Sequence, residues 1–502
     1  MYSGPVIRKI ILFVLATVVI IVGLATAAAY WFFSGDGVRL AIEQQASAWL
    51  GQPVHVRRAS AQIFPRAAIN LADIRVGEPA RLTLADVQLS TDFRALINRR
   101  IEDATITLAN SRIELPLPFS LPESDGETAD TPSTNGGIKI VSIRAIVLRD
   151  IRIVSRGREI RASAESALAG DKLTLRRFTA QSGSTSLDAE GEAVLAPNMD
   201  AKLRVKANKL DVDELLALAD AFTPPPSKTA ARRSVTPPRI AARISAEKGS
   251  AAGIEVQQLA GDLEVVGDRI VLSPLSFQLF GGRYQGSLNA NLGKAMSLAL
   301  RSRIENLDVA KLAAFGGAPD TISGTLTGAA NVSGDGADVA SVLTAARGMG
   351  TASVVNGEIK RLNLVRTVVL FFGKPAPDQA ASTDKFERMD ASFSLARQIF
   401  SADAFSMHSS DVDLVGMGTL NTATKALDGG ADLSLSEALS KQAGNDLQRY
   451  TREGNRVVLP AKIGGTLAGP RLSIDAAAAL RRGLRNEVQR RLGDILGGFK
   501  PK

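Results

Sequence analysis

The chain has 502 residues, 45% of them hydrophobic, so at about 150 residues per domain it can build two to four cores. It contains no cysteine, which excludes disulfides, zinc–thiolate sites, iron–sulfur clusters and thiol nucleophiles, and its two histidines offer little for metal chemistry. Lysine and arginine together number 60 against 51 acidic residues, a mild excess of +9 that is compatible with an anionic partner.

An uncharged segment near the N-terminus has the length of a membrane-spanning helix. It runs from Ile10 to Ser34 and would span roughly 36 Å as a helix. Because Arg8 and Lys9 precede it, the positive-inside bias predicts a cytoplasmic N-terminus and export of the rest. A cleaved secretory signal ending near Ala25-Thr26-Ala27 is the alternative. The predicted anchor residues are Ile10, Leu12, Val18, Ile21, Trp31 and Phe32.

After this segment the hydrophobic pattern changes from a helical to a strand period. Val38 to Leu50 predicts a short helix, and from Gly51 onward apolar residues alternate with polar ones, as in half-buried strands. We therefore expect a mainly β protein with some α structure: one transmembrane helix, then an elongated, curled antiparallel sheet with short capping helices. The first alternating pairs include Val54/Val56, Ile69/Leu71, Leu82/Leu84, Ile106/Leu108, Leu173/Leu175 and Leu203/Val205.

Two proline-rich stretches divide the exported part and predict linkers at 122–137 and 223–238. The same supersecondary unit also occurs twice, since LDVDEL at Leu210 and LDVAKL at Leu307 each follow an alternating strand and predict helices capped by Asp211 and Asp308. The predicted sections are a stub and anchor at 1–35, an N-terminal β domain at 36–121, groove segments at 138–222 and 239–345, and a C-terminal domain at 346–502.

Stacked strands can form a trough. Roughly 30 strands, at about 4.8 Å between neighbours, would extend about 140 Å, and alternation would line one face with apolar side chains suited to acyl chains. The alternative is that facing strands fill the interior, as in an ordinary sandwich. The candidate groove residues are Leu173, Leu175, Leu203, Val205, Leu288, Leu298 and Leu300.

The last 150 residues predict further elements. A short apolar helix should begin near Leu364, turns should lie at Gly464-Gly465 and Gly469-Pro470, and Asp475 should cap a final amphipathic helix with Leu480, Leu484, Val488 and Leu492 on one side. This helix can close the end of a sheet or lie on anionic headgroups. Its basic face carries Arg481, Arg482, Arg485, Arg490 and Arg491.

These segments together resemble the AsmA family of bacterial envelope proteins. The resemblance rests on GQPVHVRRASAQIFPRAAINLADIRVGE from Gly51 and, most strongly after Gly350, on LNLVRTVVLFFG, DVDLVGMGTL, ALSKQAG and VVLPAKIGGTLAGPRLSID. It implies a periplasmic β-groove anchored in the bacterial inner membrane and similar to bridge-like lipid transfer proteins. Phospholipids, the inner membrane and outer-membrane or periplasmic proteins are the implied partners. This chain is shorter than the largest members, which leaves room for a partner or a regulatory role.

Catalytic motifs are absent from the sequence. It has no nucleophile elbow, Walker loop or zinc-protease motif, and Gly334-Asp335-Gly336 and Gly416-Met417-Gly418 predict turns. His55 and His408 are expected at the surface or packed, and no cofactor, metal, enzyme activity or nucleic-acid binding is expected. The sequence predicts a protein that shields lipid acyl chains and supports outer-membrane assembly. A scaffold or regulator of outer-membrane protein assembly that carries no lipid is the alternative.

Overall fold

A computed structural model describes residues 35–62, 66–92, 100–117, 139–140, 142–195, 198–222, 237–251, 253–293, 295–360, 364–373, 384–444 and 451–497. The predicted anchor and the linker at 122–137 lie outside these residues. Within them, no helix combines the length and apolar character that crossing a bilayer requires. The chain forms two compact units, Met1–Leu272 and Ser273–Lys502, and the finer division drawn from the linkers stays a prediction.

The first unit is built mainly from strands. Its helices are α1 (Gly35–Leu50) and α2 (Val212–Phe222). Its strands are β1 (Val54–Gln62), β2 (Ala67–Val76), β3 (Leu82–Thr91), β4 (Arg100–Ile101), β5 (Ala104–Ala109), β6 (Arg112–Leu115), β7 (Lys139–Ile140), β8 (Ser142–Ser155), β9 (Arg158–Ala169), β10 (Lys172–Ser182), β11 (Thr185–Val194), β12 (Asp200–Asp211), β13 (Arg239–Ala251) and β14 (Ile254–Val266).

Helix α1, which the sequence predicts, is tied to the first strand by polar contacts. Glu43 accepts a hydrogen bond from the backbone of Val56 at 2.7 Å, and Ser47 accepts one from Val54 at 2.9 Å. Ile42, one turn before Ala46, is buried with it in the core beneath β1 to β3. The helix therefore covers the start of the sheet.

The sheet of the first unit is mixed, so the prediction of a wholly antiparallel sheet is wrong here. Most neighbours are antiparallel, but β5 and β6 run parallel to β8, and β12 runs parallel to β13. A parallel pair needs a crossover connection, and the chain between β12 and β13 contains α2. The alternating pattern predicts each strand but carries no information about which direction its neighbour runs.

The second unit contains the remaining elements, with β15 (Arg269–Leu279) crossing the boundary between the two units. Its strands are β16 (Gly282–Asn291), β17 (Met296–Asp308), β18 (Ile322–Gly336), β19 (Arg347–Ile359), β20 (Asp384–Ala396), β21 (Ile399–His408), β22 (Val412–Asn421), β23 (Leu427–Leu435), β24 (Arg452–Glu453), β25 (Arg456–Thr466) and β26 (Gly469–Ile474). Its helices are α3 (Val309–Phe315), α4 (Val339–Thr344), α5 (Leu364–Phe371), α6 (Glu437–Ser440) and α7 (Ala476–Gly497).

The strands of this unit pair antiparallel in chain order from β16 to β23, and β25 then pairs with both β23 and β26. Two of the three predicted helix caps are confirmed at the repeated motif: Asp308 accepts backbone hydrogen bonds at the start of α3, and Asp211, in the first unit, accepts one from Glu214 at 3.0 Å. The predicted turns at Gly464-Gly465 and Gly469-Pro470 are wrong, because the first pair lies at the end of β25 and the second at the start of β26.

Each unit has one large hydrophobic core. In the first, α1 and the strands from β1 to β9 contribute buried side chains such as Val56, Leu71 and Ile143. In the second, α5 covers one end of the strands, where Val368, Leu433 and Leu459 are 0% exposed. Long rows of apolar side chains in both units lie outside these cores.

Candidate functional site

The first unit presents an apolar face on five neighbouring strands, here called face A. The register places apolar or glycine residues opposite one another in transverse rows across β10 to β14. One row is Leu175, Gly191, Leu203, Ala242 and Leu263, and the next is Phe178, Ala189, Val205, Ile244 and Gly261. Across five strands at about 4.8 Å spacing, these rows are about 19 Å wide.

A β-bulge keeps β10 in line with this face. The register shifts between Leu175 and Phe178, so that the two intervening arginines, Arg176 and Arg177, are both exposed. In a regular strand, Phe178 would point to the opposite side from Leu175, because it lies three residues further on and side chains alternate along a strand. The bulge therefore places the apolar residues on both sides of it on face A.

The opposite side of the same strands is charged. Residues on neighbouring strands form ion pairs there, and because their side chains are about half exposed or more, each pair adds little to stability. The main consequence of these ion pairs is that the sheet has one charged, solvent-exposed side and one apolar side. The pairs are Lys172–Glu192, Glu190–Arg204, Arg239–Glu264 and Arg243–Asp262.

The four groove candidates on this sheet all lie on face A and are all half-buried. Helix α2 covers one end of the face, where Ala207, Leu210 and Ala246 form a small core. Leu203 and Val205 belong to none of the cores that the described residues form. Face A is thus covered by helix α2 at one end, and its remaining rows are half-buried.

The second unit carries a longer surface of the same kind, here called face B. One row crosses eight strands, from β16 to β23, and every residue in it is half-buried. Two groove candidates, Leu288 and Leu300, face each other in this row, and Leu298 lies opposite Ala290 on the same side. The full row is Leu288, Leu300, Val332, Gly348, Leu395, Phe400, Leu420 and Leu427.

Glycines and aromatic rings share face B, which the sequence reasoning missed. A side chain at Gly350 would meet the ring of Phe393 at 2.5 Å, and in the adjoining buried core one at Gly357 would meet Phe386 at 2.1 Å. The aromatic rings therefore pack flat against glycine backbone that carries no side chain. The Phe393 ring also stacks on Phe400, with centroids 4.5 Å apart. Gly residues alternating within a strand pattern were the available signal.

The glycine motifs that predicted turns belong to strands. Gly416-Met417-Gly418 lies inside β22, and Gly334-Asp335-Gly336 forms the end of β18, so both turn predictions are wrong. Gly416 and Gly418 face the rows of face B, opposite Phe405 and Ala402 of β21. Glycine at every second residue leaves this part of face B without side chains and does not interrupt the strand.

The opposite side of the second unit's sheet is polar and includes His408. Its Nδ1 contacts Asp413, whose carboxylate also binds the guanidinium of Arg456. Burial raises the pKa of Asp413, but hydrogen bonds and charge from Arg456 and His408 outweigh burial, so its pKa lies below its ordinary value. His55 is also at the surface. Among the described residues, no three His, Asp or Glu side chains cluster in a way that could hold a metal.

The predicted basic residues of the C-terminal helix α7 lie in different environments. Arg482 binds both carboxylate oxygens of Asp432, at 2.6 and 3.0 Å, whereas Arg481 and Arg485 are exposed. The side chains of Arg490 and Arg491 lie outside the described residues. The predicted cap is confirmed, since Asp475 accepts a hydrogen bond from the backbone of Ala478 at 2.9 Å.

One comparison with known proteins gives a match. A sequence model of the AsmA family matches residues 143–403, just over half of the chain, from β8 into β21. The matched segment contains the strands of face A and most of those of face B. No curated protein and no solved structure matches the chain.

Proposed function

The chain belongs to the AsmA family, and from this premise we propose that it shields phospholipid acyl chains along faces A and B. In this proposal the predicted N-terminal segment anchors the protein in the inner membrane, and both units work in the periplasm. The protein supports lipid transport toward the outer membrane and the assembly of that membrane. Headgroups stay in water while the tails lie on the apolar rows.

The observation that supports this proposal is the half-buried state of large apolar residues in the middle of both sheets. Leu203 and Leu300 lie in the interior of apolar rows, with apolar or small neighbours on both flanking strands. Covering such side chains with hydrocarbon releases roughly 25 cal/mol for each Å² of apolar surface removed from water. An acyl chain gains about 0.8 kcal/mol for each CH₂ it buries.

The repetition of the rows suits movement along a face. Neighbouring rows of face B contain the same residue types, leucine or phenylalanine beside alanine or glycine. A tail that slides from one row to the next exchanges one set of similar contacts for another. The free energy therefore changes little from step to step, and no single residue is indispensable.

The experiment that tests this function compares charges on opposite sides of one strand. Leu288→Asp places a carboxylate on face B, and Asn289→Asp places one at the next residue, which is exposed on the polar side. For the first unit the comparison uses two neighbouring strands, with Leu203→Asp on face A in β12 and Ser245→Asp on the charged side in β13. Each full-length variant is purified with its bound lipid, and phospholipid per chain is measured by native mass spectrometry.

We expect Leu288→Asp and Leu203→Asp to lower the bound phospholipid and lipid transport several-fold, with melting temperatures near that of the parent chain. Asn289→Asp and Ser245→Asp should retain both. Normal lipid content and transport in the folded face variants would contradict the proposal.

A scaffold for outer-membrane protein assembly that carries no lipid is the second candidate. Its support is the polar side of the second unit, where Val415 and Met417 are 61% and 64% exposed in β22 and offer apolar contacts to a protein. A parent chain that purifies without phospholipid, together with loss of function in Val415→Ser/Met417→Ser, would favour this candidate.

A further inference from the structure

Among the described side chains of helix α7, those that are buried lie on one side, where the helix contacts the sheet. Ala479 and Gly483 are buried on that side, and Arg482 reaches Asp432 of β23 with two hydrogen bonds. Two parallel hydrogen bonds between a guanidinium and a carboxylate set the orientation of the helix as well as its position. Small residues at 479 and 483 let the helix backbone approach the sheet closely.

The other side of α7 carries an apolar stripe that the sheet does not cover. Leu480, Leu484 and Val488 follow one another at intervals of four residues, so they share one side of the helix. They are 70%, 66% and 56% exposed. On a helical wheel, Leu484 lies about 140° from Ala479 and about 100° from Gly483. The stripe therefore faces away from the attachment, and closing the sheet does not account for it.

The charges beside the stripe indicate what it contacts. Arg481 and Arg485 are exposed at its edge, and the helix sequence contains five arginines against Glu487 and Asp494. An apolar stripe bordered by arginines matches a bilayer surface, where acyl chains lie beneath anionic phosphates. A second copy docked by a two-fold axis through the same stripe would bring like charges together. Charge complementarity thus favours an anionic membrane.

We propose that α7 docks the protein onto an anionic phospholipid bilayer, with Leu480, Leu484 and Val488 in the acyl boundary and Arg481 and Arg485 at the phosphates. This surface lies outside the rows of faces A and B. A test of membrane docking by α7 is therefore independent of a test of lipid binding by the two faces. It would give the protein a membrane contact of its own near the C-terminal end of the chain.

The absence of native cysteine allows a site-specific test. Leu484→Cys in the full-length chain is labelled with an environment-sensitive fluorophore, and the protein is held in a phosphatidylcholine nanodisc. Vesicles of phosphatidylcholine, with or without phosphatidylglycerol, are then added. Ser410→Cys, at an exposed polar position of the second unit, serves as the label control.

We expect the emission at Leu484→Cys to shift to the blue when anionic vesicles are added. The shift should be at least fivefold smaller with phosphatidylcholine vesicles alone, and the label at Ser410→Cys should show no shift. Removing Arg481 or Arg485 by substitution with Gln should weaken vesicle binding about fivefold each, the usual contribution of one surface arginine. Arg471→Gln, an equal charge change at an exposed position of β26, should leave binding unchanged. Leu480→Ser/Val488→Ser should lower binding more than tenfold, with melting unchanged.

Three results would overturn the proposal. The first is equal binding to anionic and zwitterionic vesicles, and the second is no shift with either. The third is a blue shift on concentrating the protein without vesicles, which would assign the stripe to a second copy of this chain.

Discussion

Two regions of the second unit share one sheet and one side of it, yet differ in burial. At the end beneath α5, Leu414, Leu433 and Leu459 face one another on β22, β23 and β25 and are almost completely buried. Three rows away, Leu300 and Leu420 belong to the eight-strand row of face B, and both are half-buried. The residue types and the alternation are the same. What differs is the presence of covering helices. Whether a leucine is buried here therefore depends on the helices that cover the sheet and not on the alternating sequence pattern.

The largest expected effect lies at the covered end. Leu433→Ala should lower the free energy of unfolding by about 2–5 kcal/mol, because the side chain is 0% exposed and its removal leaves a cavity. Chemical denaturation of the full-length chain measures this loss. A loss below about 1 kcal/mol would show that this end of the sheet is as open as the rest.

A smaller effect is expected where a ring lies over bare backbone. Gly350→Ala places a methyl group 2.4 Å from the carbonyl oxygen of Ala329 and 2.5 Å from the Phe393 ring, so the ring must lift and the strands must shift. We expect a loss of about 1–3 kcal/mol in unfolding free energy. Gly464→Ala, whose added methyl would approach nothing closer than 4.0 Å, is the control. Equal losses in both variants would contradict the flattened-ring geometry.

The polar side should respond to pH in a way that the apolar faces do not. Because the pKa of Asp413 lies below its ordinary value of 3.8, its contribution to stability is present above about pH 3.8 and is lost as the pH falls through the lowered pKa. Asp413→Asn should cost about 1–2 kcal/mol at neutral pH, through the weakened contact with Arg456. The difference between parent and variant should shrink in acid, as followed by denaturation from pH 7 to pH 3. A difference that does not change with pH would contradict this assignment.

The smallest stability effect is expected on face B itself. Leu300→Ala should cost less than about 1 kcal/mol, because the leucine is only half-buried and its removal leaves no closed cavity. The same denaturation series provides the comparison with Leu433→Ala. A cost equal to that of Leu433→Ala would mean that face B is covered in solution.

Much of this fold can be predicted from the sequence, for identifiable reasons. Alternation predicts the strands of both faces, and short polar side chains before apolar runs predict the caps at Asp308 and Asp475. The parallel pair of β12 and β13 could not be predicted, because partner direction depends on the path of the connection. The strand positions of Gly416 and Gly418 were missed, since glycine in a strand resembles glycine in a turn until its partners on the neighbouring strand, here Phe405 and Ala402, are known. The outward direction of the Leu480 stripe depends on which side Arg482 fixes to the sheet.

The central claim is that the half-buried rows of face B contact lipid tails, and photo-crosslinking tests it most directly. A photo-crosslinking amino acid replaces Leu300 on face B or, as a matched control, Ala299, the exposed neighbour on the opposite side of β17. The full-length chain is illuminated in cells, and adducts are identified by mass spectrometry. We expect phospholipid adducts from position 300 and few or none from position 299. Adducts to protein alone, or equal lipid labelling at both positions, would contradict the account.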